Sequence, residues 1–153
     1  MEKKDKISMV MNYIINIRHF STEVSKEVSS DLSHSDINCS EAFYLILLNE
    51  NREGLTMSEL SMCAKVDKSL TTRIVKKLLD KEYIYKDTDD LLSRNYKIKL
   101  TSSGIKKATD IDDVLVTKYD AFAAKFTDEE IELMKKAFNL LLDSFSEENR
   151  KEI

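Results

Sequence analysis

Proline is absent from all 153 positions, and glycine occupies only Gly54 and Gly104. The two residues that most reliably kink or end a helix are thus almost missing. The chain is expected to fold as long, uninterrupted helices. With 42 % hydrophobic and 34 % charged residues it is too apolar to stay disordered, and its length suits one shared core. The run from Ile7 to Ile17 is broken by Ser8, Asn12 and Asn16, so it is too short and too polar for a membrane span. No small-residue cleavage site follows it. Cys39 and Cys63 form no framework of spaced cysteines, which argues against disulfide scaffolding. The expectation is a cytoplasmic protein with no membrane partner.

Apolar residues at helical spacing predict a first helix from about Lys4 to Ser30, with Ile7, Val10, Met11, Ile14, Ile17, Val24 and Val28 along one stripe. Asn38 to Glu41 reads as a capping box with Ile37 as its staple. The helix it opens, to about Asn49, is apolar nearly all round and should be the most buried element. Thr56 to Glu59 is a second capping box, opening a short helix to Ala64. After a break at Lys65-Val66, Asp67 caps a helix to about Glu82. Helix, tight turn and helix make a helix-turn-helix unit. Tyr83–Lys86 and Tyr96–Leu100 look like two strands around a polar hairpin tip. Thr101 begins another long helix to about Lys125, and Thr127 to Glu130 is a third capping box before a last helix.

The overall charge of −4 conceals an uneven distribution. Residues 1–64 carry a net −4, residues 65–107 a net +6, and residues 108–153 a net −6. A basic middle between acidic flanks is what a local polyanion site needs.

On the helix from Asp67, Leu70, Ile74, Val75, Leu78 and Leu79 cover one side, while Ser69, Thr72, Arg73, Lys76 and Asp80 cover the other. Hydroxyls, a guanidinium and an ammonium at the N-terminal half suit a helix laid in a DNA major groove. They suit a solvated surface helix equally well. The hairpin that follows favours the nucleic-acid reading, because Arg94, Lys97 and Lys99 make a basic ribbon able to enter or flank a minor groove. Arg94 can also pair with Asp89 or Asp90 and stabilise the hairpin.

At these residues the chain resembles the MarR family of winged helix-turn-helix transcription regulators. The run from Val66 to Leu78, with Thr72-Arg73-Ile74-Val75 at its centre, is similar to the family's recognition helix. Lys97 to Gly104 is similar to the strand and turn that end its wing. Three positions depart from the pattern: Leu92 stands where the wing has Asp, Tyr83 where a Gly follows the recognition helix, and Lys65 where a Gly is common in the turn.

The resemblance implies a mainly α fold with a small β-hairpin, a winged helix-turn-helix plus long terminal dimerisation helices. Residues 1–153 form one domain, with the winged unit at 37–100 and dimerisation helices at 1–36 and 101–153. It implies a homodimeric regulator, more often a repressor, that binds a palindromic site in double-stranded DNA and is relieved by an effector. Ser69, Thr72, Arg73 and Lys76 would read or clamp the major groove, with Thr71 and Lys77 beside them. Ser58 and Lys68 would hold phosphates, and Arg94 with Lys97 would serve the minor groove.

Cys39 and Cys63 suit a redox sensor, although redox-sensing relatives carry their cysteine in the first helix, which has none here. His19, His34, Cys39 and Glu41 fit no closed zinc motif. Tyr13, Phe20, Phe43, Tyr44, Tyr119 and Phe122 suit either plain core or a pocket for an aromatic small-molecule effector between the dimer helices and the winged unit. No cofactor is expected. No phosphate loop or nucleophile signature supports an enzyme. A helical protein-interaction module without DNA binding, and a metal or redox sensor with DNA output, remain the alternatives.

Overall fold

The elements follow the capping signals in order. In the computed structural model, residues 3–32, 34–88 and 96–143 are described, without the side chains of Lys3, Lys6, Lys118, Ala121 and Phe122. The elements are α1 (Lys3–Asp31), α2 (Cys39–Glu50), α3 (Met57–Ala64), α4 (Lys68–Asp80), β1 (Ile84–Asp87), β2 (Lys97–Leu100), α5 (Ser102–Ala123) and α6 (Asp128–Asp143). All three capping boxes form. The Asn38 side chain accepts the Glu41 amide and the Glu41 carboxylate accepts the Asn38 amide, both at 3.0 Å. Thr56 and Glu59 exchange bonds of 3.3 and 2.8 Å, and Thr127 and Glu130 bonds of 3.2 and 2.8 Å. Each satisfies donors that a helix start leaves orphaned. The Asp67 carboxylate accepts the Leu70 amide at 2.9 Å to start α4.

The chain divides into two compact units, Met1–Leu115 and Val116–Ile153. In the first, Leu45, Leu48, Leu60, Leu78, Ile98 and Ala108 are fully buried and draw α2, α3, α4, β2 and the start of α5 into one core. Burying each of these leucines, or Ile98, contributes roughly 1.5–3 kcal/mol. Strands β1 and β2 pair antiparallel, Ile84 opposite Leu100 and Asp87 opposite Lys97. Leu55 adds a bridge to Ile98 on the other edge, through bonds of 3.1 and 2.7 Å. The hairpin is thereby anchored to the segment that leads into α3. The expected tip, with Arg94, Asp89 and Asp90, lies outside the described residues. Gly104 lets α5 sit against the hairpin, since a Cβ there would lie 1.9 Å from the Tyr83 carbonyl oxygen.

A polar cluster joins the α1–α2 connection to the far end of α4. Glu41, only 2 % exposed, receives the Lys81 ammonium at 2.7 Å. The same ammonium donates to the Asp36 carbonyl. The Asp36 carboxylate in turn accepts from Lys107 at 2.9 Å and from the Tyr83 hydroxyl at 2.9 and 3.0 Å. The Lys107 ammonium also lies 5.4 Å from the centre of the Tyr83 ring. In the second unit, α6 carries exposed Leu133, Met134, Phe138, Leu140 and Leu142.

Candidate nucleic-acid interface

Helix α4 is held from behind and open in front. Ile74, Val75 and Leu78 are buried, whereas Lys68, Ser69, Thr72, Arg73, Lys76 and Lys77 are exposed. Ser58, one residue into α3, and Lys97 on β2 are exposed as well. Among the described residues, no carboxylate forms an ion pair with Lys68, Arg73, Lys76 or Lys77. Lys81, Lys99 and Lys107 behave differently: each is half-buried and bonded to an acidic side chain. The basic middle of the sequence thus sorts into cations that brace the fold and cations that face outward.

The amide of Leu70 holds the Asp67 carboxyl below the usual aspartate range, with a hydrogen bond from Ser69 adding to the effect. The Thr72 hydroxyl donates to the Lys68 carbonyl at 2.7 Å. In that rotamer it offers a partner only its lone pairs and its methyl group.

Thr71 departs from expectation. It does not face outward with Thr72; it is fully buried. Its Oγ1 accepts from the Ser61 hydroxyl at 3.0 Å, meets the Tyr44 hydroxyl at 2.9 Å and donates to the Asp67 carbonyl at 3.1 Å. It therefore cannot touch a ligand in front of α4; it ties α2, α3 and α4 together from inside. The pattern held the signal, for at about 100° per residue Thr71 falls between Val75 and Leu78 on the apolar arc. Tyr44 and Ser61 had no comparable signal, since their partner is set by tertiary packing.

Lys99 also departs from the cationic ribbon. Its ammonium lies 2.8 Å from the Asp87 carboxylate, and that hydrogen bond raises its pKa. Lys97 remains as the exposed lysine of β2. Lys65 adopts φ 53°, the left-handed conformation that its expected glycine-like role requires. After α4 the left-handed residue is Glu82, with φ 57°, and not its neighbour Tyr83. Tyr83 is instead the ring beneath Lys107.

These elements match a known arrangement. A family model described as the MarR family matches residues 37–90, from the start of α2 through β1. The HTH-type transcriptional regulator BilQ of Clostridioides difficile is 31 % identical over 102 residues, covering 66 % of this chain and 68 % of that protein. The chain belongs to the MarR family. Two solved structures share its fold. The S. aureus MepR–DNA complex has a TM-score of 0.78 at 24 % identity, over 88 % of this chain and 98 % of that one. A MarR protein from Peptoclostridium difficile has a TM-score of 0.76 at 23 % identity, over 87 % of this chain and 86 % of that one. Within the MarR family, then, this chain is a winged-helix transcription regulator, and the matched segment contains the whole exposed face of α4.

Proposed function

We propose that this chain acts as a homodimeric repressor in the cytoplasm, binding a palindromic operator through α4 and releasing it when an effector binds. The observation that carries the reading is the outward face of α4, where Arg73, Lys76 and Lys77 are exposed without ion pairs among the described residues. Arg73 takes the O6 and N7 of a guanine in this reading. Thr72, with its hydroxyl proton held by Lys68, suits a base donor or a thymine methyl better than a phosphate. Ser69, Lys76 and Lys77 flank these contacts. Ser58 and Lys68 bind phosphate near the turn, while Lys97 and Arg94 follow the backbone or minor groove beside the wing.

Dimerisation through 1–36 and 101–153 is supported by the exposed Ile7, Met11, Tyr13, Ile15 and Phe20 on α1. It is supported separately by the exposed apolar side chains of α6. So much apolar surface marks an association site. A two-fold dimer presents α4 twice, about 34–36 Å apart, and so fits an inverted repeat.

Fluorescence anisotropy of the full chain on duplex DNA across a salt series tests the reading. Affinity should fall steeply with salt, because each phosphate neutralised releases counterions. Arg73→Ala should cost about 1–3 kcal/mol on a preferred site and less on random duplex. A flat salt response would refute the proposal.

A further inference from the structure

The turn between α3 and α4 carries a lysine where the backbone favours glycine. Helix α3 ends on hydrogen bonds from the Lys65 and Val66 amides to the Met62 and Ser61 carbonyls, at 3.1 and 3.2 Å. That closure sets residue 65 left-handed, at φ 53° and ψ 41°. A side chain there crowds the following carbonyl, a strain that glycine escapes and asparagine tolerates. The Lys65 side chain is exposed, and no ion pair with a described residue offsets the strain.

Strain alone assigns no role, because Glu82 is left-handed as well. What sets Lys65 apart is its surroundings. A surface groove at the turn is lined by Ser58 of α3, by Lys65, and by Asp67 and Lys68 at the start of α4. Ser58 and both lysines are exposed, and neither lysine is paired with a described carboxylate. The Asp67 carboxylate accepts the Leu70 amide at 2.9 Å, so its charge already serves the cap of α4. Two unpaired ammonium groups and a hydroxyl, beside the exposed face of α4, suit the phosphate backbone of a duplex.

We propose that Lys65 is a DNA phosphate contact, a cation held at a glycine-like turn position that works with Ser58 and Lys68 at the start of α4. The inference rests on the function proposed above and adds a residue to its interface. Backbone strain in the turn and ionic contact with DNA then come from one side chain. Removing that side chain moves stability and DNA affinity in opposite directions. A lysine that merely faces solvent would change stability alone, and one that braced the turn would lower both.

The test uses the full chain at one fixed protein concentration. Lys65→Gly should melt about 2–4 °C higher, the gain from relieving one left-handed side chain in a chain of this size. By fluorescence anisotropy it should bind duplex DNA more weakly, by a similar factor on a preferred site and on random sequence. The slope of log affinity against log salt should flatten by about 2, one contact from each protomer of a two-fold dimer. Lys65→Asn should flatten it equally, and Lys65→Arg, which keeps the charge, should keep the parent slope. If the parent responds steeply to salt and Lys65→Gly responds identically, the contact is overturned and the proposed function stands. A flat response from the parent refutes that function, and this inference with it. Flattening by glycine but not by asparagine would assign the effect to the backbone and overturn the contact. So would a lower melting temperature for Lys65→Gly, which would make Lys65 a brace of the turn.

Discussion

Replacing Thr71 by Val separates a buried brace from a DNA contact. Valine keeps the shape and removes the hydroxyl. The Asp67 carbonyl stays satisfied by the Thr71 amide at 3.1 Å, which valine retains. The Ser61 hydroxyl, whose one proton is shared between Thr71 Oγ1 and the Met57 carbonyl at 3.0 Å each, can turn it wholly to the carbonyl. Only the Tyr44 hydroxyl, on a residue 4 % exposed, loses its partner. One orphaned buried hydroxyl costs about 1–3 kcal/mol, so a melting temperature lower by about 2–12 °C is expected for a chain of this size. Tyr44→Phe should cost less, about 0.5–1.5 kcal/mol, because Thr71 keeps Ser61 and Asp67 as partners. The double variant should be more stable than the two single losses added together, with a coupling of about 1 kcal/mol. Urea denaturation at one fixed protein concentration reads all four corners. If Thr71→Val left stability within about 0.5 kcal/mol of the parent and weakened only DNA binding, the buried network would be wrong and the outward reading of Thr71 right.

Two further substitutions probe the polar cluster at the end of α4. Lys81→Met strands the Glu41 carboxylate in the core and should destabilise by about 3 kcal/mol or more; a neutral result in the same denaturation assay would remove Lys81 from the brace. Lys107→Met tests a pH dependence. The hydrogen bond from Lys107 lowers the Asp36 pKa, partly opposed by desolvation and helped by Tyr83. A lowered carboxyl stabilises above its ordinary value of 3.8 and loses that contribution as pH falls through the folded-state value. The Lys107 pKa is raised by the same contact, so its share is intact below 10.5 and fades as pH rises beyond it. Because Asp36 is about half exposed, the variant should melt only about 1–2 °C lower near neutral pH. That gap should close in strong acid, and a gap unchanged to pH 2 would contradict the assignment.

Much of the fold was legible because its signals are local. Asn38, Thr56, Asp67 and Thr127 cap the helices they were expected to cap, and the scarcity of Gly and Pro agrees with helices as long as α1 and α5. The alternation of Ile98 with Lys97 and Lys99 marked β2, and Ile98 is buried as that pattern requires. What sequence spacing could not supply was the partner of each polar side chain. Lys99 and Lys97 look alike along the strand, yet Asp87 claims one of them. Thr71 and Thr72 are adjacent hydroxyls, and only their angular position on α4 separates a core brace from an outward group. The pairing of Glu41 with Lys81 spans 40 residues and has no periodic signature. Glu82 took the left-handed position one place before the expected one, because a cap is set by where the last helical hydrogen bonds close.

Selection of duplexes from a random pool by the intact chain, set beside the same selection with Arg73→Ala, bears most directly on what α4 is for. Recovered sequences should converge on an inverted repeat whose half-sites are about one helical turn apart, and the Arg73→Ala pool should lose its preference at one position in each half. A pool that fails to converge, or one that converges identically with and without the Arg73 guanidinium, would contradict the assignment of that helix as the reader of DNA.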